Sequence, residues 1–171
     1  VTVADGQARQ LTNTPNVVEQ DMAFSPDGTQ LTFGAADLQT HLTHVNLMTL
    51  TEGSQPVDLT PGAPFVSPIA FDPTGQLLLV GMTEDNVLKL TLIDLQGNAQ
   101  SVVPIDLRKS QGDGGANAAA WITRSKIVFI RRLAGLTYIY TYDFATANGA
   151  RILDASIVTP GSAITSIRLT P

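Results

Sequence analysis

The chain has 171 residues, 43% of them hydrophobic and only 15% charged, which is enough apolar surface for one core and too little length for a multidomain enzyme. That composition excludes intrinsic disorder, and no stretch reaches the 18 or so uninterrupted apolar residues of a membrane-spanning helix. With no cysteine, disulfide frameworks, thiolate zinc sites and cysteine nucleophiles are excluded together.

Taken in chain order, Val1–Val3 and Ala8–Leu11 flank Asp5-Gly6 and read as the last two strands of a unit. Ala23-Phe24-Ser25-Pro26-Asp27-Gly28-Thr29-Gln30-Leu31-Thr32-Phe33 then reads as a hairpin. Pro ends ladder donation after the first apolar strand, Asp-Gly turns the chain, and a second apolar strand follows. A third β-rich run covers Leu42–Leu47, Glu52-Gly53 closes it, and Val57–Leu59 is a short fourth strand.

The same order repeats. Ala70-Phe71-Asp72-Pro73-Thr74-Gly75-Gln76-Leu77-Leu78-Leu79-Val80 is followed by Val87–Ile93, the turn Gln96-Gly97 and Ser101–Ile105. A third copy runs from Ala120-Trp121-Ile122-Thr123 through Ile127-Val128-Phe129, Thr137–Phe144, Asn148-Gly149 and Arg151–Leu153. It lacks both Pro and Gly in its hairpin turn, so that turn must be built differently. Ile167-Arg168-Leu169-Thr170-Pro171 matches the front half of a fourth copy, and the aligned positions Pro26, Pro73, Thr123 and Pro171 lie 47, 50 and 48 residues apart. Only Asp106–Lys109 and Ala116–Ala120 have much helical propensity, and Ala118–Trp121 aligns with the inner strand of the third copy.

Four short antiparallel strands repeating every forty to fifty residues predict an all-β chain folded as a β-propeller of four-stranded blades. The expected blades are 17–60, 65–106 and 116–154, with partial ones at 1–12 and 163–171, in a single segment covering 1–171. Three full blades with pieces on either side predict a partial propeller of a larger ring. A four-bladed ring closed by Val1–Leu11, and two copies paired into a larger ring, are the alternatives.

Phe24-Ser25-Pro26-Asp27-Gly28-Thr29-Gln30-Leu31-Thr32-Phe33, preceded by Leu11-Thr12 and followed by Leu59-Thr60, resembles the blade motif of TolB-like propellers. The copy at Phe71 keeps Pro73 and Gly75 but loses the Ser and Asp, and the later copies keep only pattern and position. The resemblance implies the blade type, a protein or peptide partner, and a periplasmic or otherwise extracytoplasmic setting. Residues 1–20 lack the basic and apolar blocks of a signal peptide, and a chain opening on Val1 is what removal of a leader would leave.

Charge is split along the chain. Residues 1–86 hold ten acids against Arg9 alone, whereas residues 87–171 hold nine bases against five acids. Such a split steers an oriented partner or a second copy of the chain. Only Arg108-Lys109 and Arg131-Arg132 are adjacent bases, so a nucleic-acid surface is not expected.

Residues that suggest chemistry have plainer structural readings. His41 and His44, three apart in a predicted strand, point to opposite faces and do not chelate one ion. Gly112-Asp113-Gly114-Gly115 lacks the Lys-Ser/Thr of a phosphate loop and the acids of a calcium loop, and Ser162 lies in a turn without a nucleophile elbow. Glu84-Asp85 and Asp72 are the carboxylates a glycosidase would need, but substrate-stacking aromatics are scarce. Asp27 reads as a turn former. Phe24, Phe71 and Trp121 read as inter-blade packing, as does the stripe Tyr138, Tyr140 and Tyr142.

The expectation is therefore a non-catalytic binding or scaffold module with no cofactor and no metal, and without membrane insertion. The alternative is an accessory propeller of a larger hydrolase, such as a prolyl-oligopeptidase-like peptidase. Contact loops are expected between second and third strands at Gly34–Gln39, Gly81–Asn86 and Arg131–Leu136. Others are expected between blades at Asn13–Glu19, Thr60–Val66, Ile105–Ala116 and Asp154–Gly161. Glu84, Asp85, Asp113, Arg131 and Arg132 are the candidate partner contacts, and self-association through exposed blade edges is a further expectation.

Overall fold

The computed structural model describes residues 10–63, 66–84, 87–103, 107–108, 119–133 and 136–153. The expected strands at Val1–Val3 and Ile167–Leu169, the loop at Gly112–Gly115, and Ser162 lie outside the described residues.

Every described element is a strand, and the strands form three sequential sheets. The first blade contains β1 (Val17–Phe24), β2 (Gln30–Asp37), β3 (Thr43–Thr49) and β4 (Val57–Asp58), paired antiparallel in that order. The second contains β5 (Val66–Phe71), β6 (Leu77–Glu84), β7 (Val87–Asp94) and β8 (Ala99–Val102). A further short strand, β9 (Leu107–Arg108), pairs with the start of β7 beside Val87 and Leu88, so the outer strand of this blade comes in two pieces. The third blade contains β10 (Ala119–Trp121), β11 (Lys126–Leu133), β12 (Leu136–Asp143) and β13 (Asn148–Leu153). Both segments with helical propensity therefore contain strand instead, at Leu107–Arg108 and Ala119–Trp121. Pairing to a neighbouring strand overrides a weak local preference.

The second strands run further than their apolar runs suggest. β2 continues through Gly34-Ala35-Ala36 to Asp37, β6 reaches Glu84 and β11 reaches Leu133. Most of the three expected contact loops is thus ladder, and on the first blade the hairpin tip shrinks to residues 38–42. Small residues pass at this level because a neighbouring strand approaches closely. A Cβ on Gly34 would lie 3.4 Å from Gln20 and 3.6 Å from Pro68.

The core lies between blades. Alternation along a strand sends successive side chains to opposite sheet faces. Val45 and Leu59 of the first blade meet Val66, Phe71, Leu78, Val80 and Ile93 of the second. The other face of the second blade, through Leu79, Leu90 and Val103, meets Ile127, Phe129 and Tyr142 of the third. The middle blade is therefore buried on both faces, as sideways stacking about an axis requires and a one-sided sheet does not. Tyr140 stacks on Phe129 with ring centroids 5.7 Å apart, and Phe144 packs edge-on to Tyr142 at 5.1 Å. Tyr140 and Tyr142 of the tyrosine stripe therefore belong to the inter-blade packing.

Phe24 departs from the expected pattern. Its equivalent Phe71 is 5% exposed, but Phe24 is 65% exposed. It pairs with Leu31 as Phe71 pairs with Leu78, so the register is the same. The difference lies in what stands in front of it. Phe71 has the first blade to pack against, whereas Leu11 covers only Leu31, Phe33 and Met48 on the leading face of that blade.

Candidate functional site

The blades share one polarity, so the C-terminal ends of β2, β6 and β11 lie at one end and the tight turns after β1, β5 and β10 at the other. The tip end is the candidate interface. On the first blade Asp37 builds the tip, its carboxylate accepting the amides of Gln39 (2.7 Å) and Thr40 (2.9 Å). Those amides, Thr40 first, hold its carboxyl below the usual range. The amide of Leu38 donates to the Asn16 carbonyl (2.8 Å), tying the tip to the strand leading into β1, while the Leu38 side chain is 57% exposed. Glu19, near the same end, accepts from the Thr14 hydroxyl, the largest influence holding its carboxyl low. The first tip thus presents an apolar side chain beside anchored carboxylates.

The predicted contacts fall at this end as far as they are described. Glu84 closes the β6–β7 ladder opposite Val87, and Arg131 and Arg132 lie opposite Tyr138 and Thr137, just before the β11–β12 tip. Arg131 and Arg132 are therefore ladder positions and not loop residues. Asp85 and Asp113 lie outside the described residues. The backbone brings Asp37 and Glu84 to the same end of their ladders as Arg131 and Arg132.

At the opposite end the carboxylates are occupied by turns. In the first blade the Ser25 hydroxyl accepts the Gln30 amide (2.9 Å) and donates to Asp27 (2.6 Å), which accepts the Thr29 amide (3.0 Å). In the second blade Asp72 fills both roles. It accepts the amides of Gln76 (2.8 Å), Leu77 (2.7 Å) and Thr74 (3.1 Å) and the Thr74 hydroxyl. The loss of Ser and Asp from the motif is thus compensated by one buried carboxylate. Burial is the largest influence on Asp72 and pushes its pKa up, but the donors from Thr74, Leu77 and Gln76 outweigh it and leave the group below its ordinary value. A carboxylate held this way serves the turn. In the third blade Thr123 substitutes, its hydroxyl accepting the Lys126 amide (3.1 Å) in a turn one residue shorter.

His41 and His44 do not converge. His41 sits in the tip turn with φ 58°, and His44 Nδ1 donates to Asp58 Oδ2 on the neighbouring strand at 2.7 Å. Asp58 was not visible as its partner because the two are paired across β3 and β4, fourteen residues apart. Among the described residues no three His, Asp or Glu side chains group as metal ligands. A shallow groove of about 390 Å³ runs between Gln10–Thr14 and Gln55-Pro56.

No family model matches the chain, and no curated protein sequence matches it. Solved structures do resemble it at the level of fold. TolB from Acinetobacter baumannii superposes with a TM-score of 0.63 at 17% identity, over 89% of this chain and 36% of that one. A chain of a nidogen–laminin complex gives 0.59 at 12% identity, over 83% of this chain and 50% of that one. The AtxE2 isopeptidase gives 0.56 at 11% identity, over 81% and 30% respectively. The chain is all-β with β-propeller blades, and it spans half or less of the length of these proteins.

Proposed function

We propose that the chain is a non-catalytic binding module that takes a protein or peptide partner at the hairpin-tip end, in an extracytoplasmic setting. The observation that carries this reading is an exposed apolar side chain at an end where the ladders also place acidic and basic residues. Exposed Leu38 lies beside Asp37, with Glu84 and the Arg131-Arg132 pair at the neighbouring tips. A rigid apolar frame holding tips of opposite charge suits oriented recognition of another macromolecule. The use of Asp27, Asp37, Asp72 and Asp94 as acceptors for their own turns supports a scaffold role for them. The likeness to TolB supports both the partner class and the setting.

A photo-crosslinking residue at Leu38, expressed in the source cell, tests the proposal. A discrete protein adduct is expected that is lost on Arg131→Glu with Arg132→Glu, while a crosslinker at Val102 on the outer edge of the second blade yields none. Adducts at position 102 but not at 38 would refute the site. Turnover of a candidate substrate by the purified chain would refute the non-catalytic role.

The likeness to the isopeptidase favours a second reading, an accessory propeller of a larger hydrolase. An α/β-hydrolase segment encoded downstream in the same gene would select it.

A further inference from the structure

The face of the first blade that is turned to the second carries an exposed apolar strip at the tip end. At the level of Gly34 the two blades touch, a Cβ there lying 3.6 Å from Pro68. Alternation along β2 places Ala36, and one step further Leu38, on the same face as Gly34. Val18 shares that face, because it is the cross-strand partner of Ala36 as Gln20 is of Gly34. Val18 and Leu38 are therefore diagonal neighbours with a small residue between them. Both stay open, at 46% and 57% exposure, whereas Val45 and Val66 in the same joint are buried.

The strip is held in place by main-chain bonds. The Leu38 amide donates to the Asn16 carbonyl, the Asp37 amide to the Leu42 carbonyl, and the His41 amide to the Asp37 carbonyl. Ordering this backbone therefore adds nothing to the cost of binding. Its surroundings are acidic. Asp37 stands between Ala36 and Leu38 in the chain, Glu19 follows Val18, and residues 10–63 hold six acids and no Lys or Arg. Lys89, opposite Met82 on the second blade, is already engaged.

On the reading that a protein partner docks at the tip end, we propose that Val18, Ala36 and Leu38 form its docking point, which receives one apolar side chain with a lysine or arginine beside it. Two exposed apolar side chains flanking an alanine suit a single inserted side chain, and charge complementarity to Asp37 and Glu19 selects a base as its neighbour.

Calorimetric titration of the chain with the protein recovered in the position-38 adduct tests the proposal. Val18→Asp should raise Kd by at least about tenfold, the loss expected of a central apolar contact. Val18→Thr keeps the β-branching that suits the strand and should weaken binding in the same direction, so the result does not depend on one substitution folding. Asp37→Asn keeps an oxygen for the Gln39 and Thr40 amides, and it should weaken binding and flatten its salt dependence. Glu52→Gln, in the turn after β3 at the opposite end, should change neither. Full affinity in both Val18 variants, or an unchanged salt dependence in Asp37→Asn, would overturn the docking point and leave the tip-end reading standing. Absence of any adduct at position 38 would overturn both.

Discussion

Gly97→Ala tests the stacking of the first two blades at one atom. Gly97 lies in the turn after β7 with φ 87°, and a Cβ there would fall 1.9 Å from the Leu59 carbonyl oxygen and 3.0 Å from its carbon. Ordinary contact begins near 3.4 Å, so the blades would have to part by about 1.5 Å, and the obstacle is backbone that no rotamer change can move. Gly28 provides the control, with φ 71° and nothing within 4 Å of the same Cβ. Gly28→Ala incurs only the left-handed backbone strain, about 1–2 kcal/mol. Gly97→Ala adds an overpacking term of about 1–3 kcal/mol. For a chain of this size each kcal/mol lowers Tm by roughly 2–4 °C. Thermal and urea unfolding followed by far-ultraviolet circular dichroism should therefore show Gly28→Ala losing roughly 2–8 °C and Gly97→Ala clearly more, by a further few degrees. Equal losses would refute the close approach of the Gly97 turn to Leu59 and with it the blade spacing.

Phe71→Ala should destabilise by about 3–5 kcal/mol in urea unfolding, as a buried aromatic does, whereas Phe24→Ala at dilute protein concentration should stay within about 0.5 kcal/mol. The same residue type at equivalent repeat positions thus gives opposite outcomes. Asp72→Asn should cost about 1–3 kcal/mol at neutral pH, since an amide replaces an acceptor of four hydrogen bonds. The pH dependence follows from the lowered pKa of Asp72. Its contribution is complete above the ordinary value of 3.8 and is lost as pH falls through the lower folded value. Acid unfolding of Asp72→Asn should accordingly be shallower below that point than in the parent, and unchanged steepness would contradict the assigned hydrogen bonds. Leu38→Asp should leave Tm nearly unchanged, because the side chain is exposed, while weakening affinity capture of the protein identified in the tip-end adduct.

The repeat was legible because turn chemistry and apolar runs recur together. Ser25-Pro26-Asp27-Gly28 and Asp72-Pro73-Thr74-Gly75 mark the same hairpin, and the ladders pair Phe24 with Leu31 and Phe71 with Leu78 in the same register. Strand ends were less legible. Gly34-Ala35-Ala36 has the composition of a loop but continues β2, because a small residue there admits Gln20 and Pro68. The split outer strand of the second blade was hidden, since Leu107-Arg108 carries no strand signal and is fixed only by pairing with β7. Neither the exposure of Phe24 nor the His44–Asp58 contact follows from local pattern, since each depends on what another part of the chain brings close. The candidate contacts Glu84, Arg131 and Arg132 fall at the same end of their ladders, yet their ladder positions were not foreseen.

Methyl–methyl and methyl-to-aromatic nuclear Overhauser contacts from the two faces of the β6–β7 pair test the stacked-blade architecture most directly. Contacts from Leu78 or Val80 to Val45, together with contacts from Leu79 or Leu90 to the Phe129 ring, are the expected result. Contacts from one face only, with the other open to solvent, would contradict it.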